Sequence, residues 1–304
     1  MNSDLDELPL HEKPTFHTPL SGALLVFRYH LLRRHVWTDL ASSMVIFLTT
    51  LLAASRLSAA WAESSEYSNT TSDVMSAWLL TSLIVSSIIL PFIAAVLGSV
   101  TVPAAIEFEM TQSALLTHLK PLDLVLGRLL AGIWPVIAAV LASLAFWLFA
   151  QLAKHFVVGS LQGYLPILLG HCILLCVTIL SASLSFLFAI KTRPGRANLR
   201  GTAAAISFCV FAAISPLLFH PETLRMRNPV GAIQFLLIFN PATAIAASFG
   251  SRFDLLRAPG IYEHTCFHDY NFFYPNPIGS LLVFLFMTIV CLAIASVRLR
   301  RAYR

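Results

Sequence analysis

The chain has 304 residues, of which 57% are hydrophobic and only 12% charged, too little charge to cover a soluble surface when average soluble domains carry about 25%. The net charge of +5 does not point to nucleic acid, because the Lys and Arg residues flank apolar segments, as membrane topology requires. A soluble enzyme is excluded, and an all-α, polytopic membrane protein with about six spans is expected, since about 20 apolar residues cross a bilayer core of about 30 Å.

Residues 1–35 read as a cytoplasmic tail followed by an interfacial segment. The first 20 residues are polar and acidic (Asp4, Asp6, Glu7, Glu12). They lack the basic start and apolar core of a cleaved signal peptide. The transmembrane domain is then expected over 36–304. Its first span is read as Val36–Ala60, with Asp39 and Arg56 near the ends, where long side chains snorkel. The second apolar segment, Val74–Ile106, is free of charge for 33 residues. As one straight helix it would reach about 50 Å, so Pro103 is expected to end it and Pro91 to kink it. The polar connection Glu107–Arg128 follows. The remaining spans are read as Leu129–Gln151, Tyr164–Ile190, Gly201–Phe219 and Ile278–Val297.

Orientation follows from the basic residues. With the N-terminus inside, 14 of the 20 fall on the cytoplasmic side. They are Lys13, Arg28, Arg33 and Arg34 in the tail, Lys120 and Arg128 in the connection, Lys191, Arg193, Arg196 and Arg200 in the fourth-to-fifth loop, and Arg298, Arg300, Arg301 and Arg304 at the end. This bias predicts both termini in the cytoplasm and a plasma (inner) membrane location. Pro229–Gly250 is uncharged for 22 residues, but Asn240-Pro241 breaks it. It reads as short helices at or dipping into the outer face, inside a long extracytoplasmic loop, 220–277.

The informative stretch is Glu107 to Arg128. Paired acids, Glu107 and Glu109, suit a helix N-terminus. Leu115, Leu119 and Leu122 are spaced four and three apart and share one helix face. Pro121 then interrupts, and Gly127-Arg128 leads into the third span. An ordinary interfacial helix would look the same from physics alone.

This stretch resembles the first cytoplasmic loop of the type-2 ABC transporter permeases, the exporter-type membrane subunits of ATP-driven transporters. Glu107, Glu109, Thr111, Leu115, Leu116, Thr117, Leu119, Pro121, Asp123 and Gly127 fit that family's pattern. His118 stands where Pro is usual, Arg128 where Lys is usual, and the Gly-Thr after the acids is absent or shifted. Asn240-Pro241 followed by a small apolar run is a second likeness. The resemblance implies a permease that forms a homo- or heterodimer with a second permease and docks a separate ABC ATPase subunit. Glu107, Glu109, Thr111, Leu115, Leu119, Pro121, Asp123, Gly127 and Arg128 would couple the two. The chain has no Gly-x-x-x-x-Gly-Lys-Ser/Thr phosphate loop, so ATP hydrolysis is expected on another chain and no cofactor is expected here.

His264, Cys266 and His268 are metal-ligand types, but alternating ligands in one short aromatic loop lack the paired spacing of a metal centre, and no metal is expected. His171, deep in the fourth span, is a functional candidate by position. The bland reading, a neutral His bonded to a neighbouring helix, is preferred. Two rivals to a permease stay open. A membrane-embedded enzyme would need convergent ionisable groups at membrane depth, where only His171 and a few Ser and Cys occur. A non-transporting scaffold would not co-purify with an ATPase. The cargo is not readable.

Overall fold

The computed structural model describes residues 22–28, 36–64, 71–105, 120–158, 164–190, 199–204, 206–207, 210, 238–249, 262–267 and 270–302. The long helices are α1 (Val36–Ser64), α2 (Thr71–Ala105), α3 (Pro121–Val158), α4 (Tyr164–Ala189) and α6 (Pro277–Ala302). A short helix, α5 (Pro241–Ser248), and a two-stranded antiparallel hairpin, β1 (Tyr262–Phe267) and β2 (Tyr270–Pro275), lie between α4 and α6 in sequence.

Among the described residues, four segments are long and apolar enough to cross a membrane: Trp78–Val100, Pro121–Ala153, Tyr164–Ala189 and Pro277–Arg301. In α1, a helix of 29 residues, Ala41–Ala53 is a shorter apolar stretch among the described residues. The expected fifth span, Gly201–Phe219, lies mostly outside the described residues. Its start, 199–204, is helical.

The helix ends follow from local chemistry. Proline has no N–H to lose in a first turn and its φ is preset for a helix. It opens α3, α5 and α6 as Pro121, Pro241 and Pro277. Asn240 caps α5: its Oδ1 accepts from the backbone N–H groups of Ala242 (2.9 Å) and Thr243 (3.1 Å). Asn276 caps α6 in the same way, accepting from Ile278 (2.9 Å) and Gly279 (3.4 Å). Such caps contribute about 1 kcal/mol each. Pro121 starts α3 eight residues before the expected Leu129; the stretch that it was expected to interrupt, 107–119, lies outside the described residues. α2 runs to Ala105, two residues past the expected end at Pro103.

The core sits around α4. In an apolar 18-residue stretch of its span 67% of residues are buried, against 28% in that of α6, which makes α4 the central helix and α6 a peripheral one. α4 contacts α2, α3, α5 and α6, while α1 lies against α2 and α3. Leu83, Ile133, Ile173, Leu174, Leu180, Phe186 and Phe284 fill the interior. Small residues bring α2 and α4 together at Gly98, Ser99, Ala182 and Ser185. Ser181 and Ser185 donate hydroxyl hydrogen bonds to the backbone carbonyls of Pro91 (2.8 Å) and Ala95 (2.6 Å) across that seam. Ser99 and Thr202 hydroxyls meet at 3.0 Å, which ties the start of the 199–204 helix to α2. Such close, hydroxyl-bonded contacts replace the hydrophobic drive that lipid cannot supply.

The hairpin departs from an all-α chain. Tyr262 pairs with Pro275 and Phe267 with Tyr270, leaving a two-residue connection, the length of the tightest hairpins. Aromatic residues favour strands, and this stretch is rich in them.

Candidate functional site

The candidate coupling residues divide in two. Glu107, Glu109, Thr111, Leu115 and Leu119 lie outside the described residues. Pro121, Asp123, Gly127 and Arg128 all fall in the first turns of α3. Lys120 is the N-cap, and the Asp123 side chain reaches back so that its Oδ2 accepts from the Lys120 backbone N–H at 3.3 Å. The Lys120 carbonyl accepts from the Asp123 and Leu124 N–H groups at 2.9 and 3.3 Å. This is one arm of a capping box, with an acid three residues past the cap, and it places negative charge at the positive end of the helix. Asp123 is buried at 6% exposure. Its position is therefore accounted for by helix initiation.

Gly127 is a packing glycine. A Cβ there would meet the Ala23 carbonyl oxygen at 2.6 Å and the Val26 Cβ at 2.7 Å. The helical segment 22–28 thus rests directly on α3. Phe27 adds an edge-on contact with Trp134, ring centroids 5.5 Å apart. The segment buries Ala23 and Val26 and exposes Leu24 and Leu25, as an interfacial helix does when it holds one face to protein and offers the other to lipid. Arg128 is buried and partnered. Leu122, from the predicted leucine face, is exposed. Among the described residues at this end of α3, Lys120 and Leu122 are exposed.

His171 on α4 is buried. Its Nδ1 lies 2.8 Å from the Ile167 carbonyl oxygen and its Nε2 3.2 Å from the Ser143 hydroxyl on α3. A carbonyl only accepts, so Nδ1 carries the proton, and Ser143 donates to Nε2. One ring proton satisfies both contacts, which makes His171 an α3–α4 strut. No signal in the sequence singles out Ser143 among the serines of the spans. One turn along α3 from Ser143, Trp147 is buried and stacks edge-on with Trp78, centroids 5.6 Å apart.

His264 and Cys266 lie on β1, opposite Phe273 and Asn271 in the ladder, while His268 lies outside the described residues. Among the described residues, no three His, Cys, Asp or Glu groups converge.

The fold defines a class: a predominantly helical membrane protein with, among the described residues, four helices long and apolar enough to span. No family model, no curated protein and no solved structure matches this chain.

Proposed function

We propose that this chain is the membrane-spanning permease subunit of an ATP-driven exporter of the type-2 ABC class. The observation that carries the reading is the residue pattern from Glu107 to Arg128 and its continuity with α3. The last eight residues of that pattern are the first two turns of one 38-residue helix. A push on the connection by an ATPase would be delivered along a stiff rod into the bundle core. Cargo would move by alternating access, with no covalent chemistry on this chain. ATP would be hydrolysed by a separate subunit, and a second permease would complete the pathway.

In this reading the chain crosses the membrane six times, through α1, α2, α3, α4, the segment from Gly201 and α6. Both termini face the cytoplasm of the cell, and the membrane is the plasma or inner membrane. Single-cysteine labelling from outside, in a background without native cysteines, tests this. A cysteine at Ser251 should label and one at Arg196 should not, and the reverse pattern defeats the topology.

Coupling is tested by pull-down of an ABC ATPase encoded beside this chain. Leu119→Asp and Leu122→Asp place charge on the leucine face without touching the helix cap. Both should insert normally, bind the ATPase about tenfold more weakly, as loss of about 1.4 kcal/mol requires, and lose cargo-stimulated hydrolysis. Asp123→Lys is a poor probe, since it removes the cap of α3 as well. If both Asp variants bind and stimulate like the parent, the permease assignment fails.

A further inference from the structure

We infer that the C-terminal end of α6 holds the phosphate of an anionic phospholipid between Arg300 and Arg301, with an acyl chain lying along the exposed face of the same helix. That face is a continuous apolar stripe. Phe286, Ile289, Ile294 and Val297 recur at three- to five-residue intervals and are 67%, 57%, 40% and 50% exposed. The stripe ends in Arg300 and Arg301, both exposed. The two arginines continue the spacing from Val297 and stand at the mouth of the stripe.

Depth and charge agree. From Pro277 to Val297 the helix rises about 30 Å at 1.5 Å per residue, matching the hydrocarbon thickness. The next turn carries Arg300 and Arg301 about 5 Å further, to headgroup level. Arg298 serves differently. Its guanidinium donates to the Leu187 carbonyl at 3.4 Å, so it turns inward to the last turn of α4, where unsatisfied carbonyls favour a cation. Two guanidiniums therefore remain outward, and among the described residues neither has a hydrogen-bond or ionic partner. Asp123, the buried acid at the base of α3, is directed to the Lys120 N–H. Adjacent guanidinium forks suit a phosphate, which takes two parallel N–H···O bonds from each. Anionic headgroups near a membrane surface also attract such residues electrostatically.

The experiment uses the full chain reconstituted in phosphatidylcholine vesicles with one fifth phosphatidylglycerol, then extracted in mild detergent and weighed intact by native mass spectrometry. The parent should retain phosphatidylglycerol in preference to phosphatidylcholine. The variant R300Q/R301Q should retain about tenfold less, the loss of one charge-assisted hydrogen bond being enough for that. R300K/R301K keeps the charge, and with it the span orientation, so it should insert as the parent does. It should still lose retention, by less, because an ammonium offers no fork. Parent-like retention by both variants overturns the site, and so does equal loss of phosphatidylcholine and phosphatidylglycerol. In either case the arginines act only in setting orientation, or the stripe binds lipid without regard to charge.

Discussion

Replacing Gly98 with Ala should push α2 and α4 apart and lower the apparent melting temperature of the purified protein by several degrees. A Cβ at Gly98 would stand 2.7 Å from the Ala182 carbonyl oxygen and 3.1 Å from the Ala182 Cα. Both atoms are backbone, so no side chain can rotate to make room, and a helix must move. Two effects oppose. Ala in a helix interior is favoured over Gly by about 1 kcal/mol. Overpacking costs about 1–3 kcal/mol, and the displacement also lengthens the hydroxyl bonds from Ser181 to Pro91 and from Ser185 to Ala95, 2.8 and 2.6 Å in the native seam. Less the helix gain of about 1 kcal/mol, the steric side and the lengthened hydroxyl bonds together should win by up to about 2 kcal/mol. Gly279→Ala is the internal reference, because there a Cβ would meet only the Asn276 Cβ at 3.8 Å, an ordinary contact. That variant should melt at or slightly above the parent temperature. Melting followed by size-exclusion after heating in detergent reads both, and a Gly98→Ala protein as stable as Gly279→Ala would remove the close α2–α4 approach from the account.

The spans were legible because their signal is length and apolarity, which need no knowledge of neighbours. Tyr164–Ala189 agrees with the expected fourth span to within a residue for that reason. Helix starts were legible in principle, since Asn240-Pro241 and Asn276-Pro277 are cap-and-first-residue pairs. α3 starts at Pro121 and not at the expected Leu129, because Asp123 and Arg128 make its first two turns look polar. The hairpin at Tyr262–Pro275 was hidden by its setting, for a tight two-residue connection of His-Asp carries none of the Asn-Gly or Asp-Gly chemistry that marks such turns. The candidate site was legible as a pattern but not as a set of roles. Asp123 and Gly127 belong to a family-like motif, yet one caps a helix and the other admits a neighbouring backbone. Only the positions of Ala23 and Val26, a hundred residues upstream, distinguish those roles.

Gly127→Leu should therefore detach the segment 22–28 from the bundle. A Cβ at Gly127 would lie 2.6 Å from the Ala23 carbonyl oxygen, and 2.7 and 2.8 Å from the Cβ and Cγ1 of Val26. α3 is held on several sides by α1, α2, α4 and α6, while 22–28 leaves Leu24 and Leu25 exposed, so the segment is the part that yields. Once lifted, it loses the burial of Ala23 and Val26, about 1.5–3 kcal/mol for a valine alone. Most helical stability in proteins comes from such packing, so the helix over 22–28 does not persist without that contact. Hydrogen exchange over 22–28 should then approach that of an unstructured peptide, while exchange in the middle of α3 stays slow. Trp134 loses its edge contact with Phe27, so its emission should shift as well. The experiment also separates the two roles of this glycine. If Gly127 serves only as a contact for an ATPase, the variant keeps 22–28 protected and loses ATPase binding alone. If it serves as the seat of the N-terminal helix, protection of 22–28 is lost even in the isolated chain, with no partner present. The second outcome is the one the 2.6 Å approach requires.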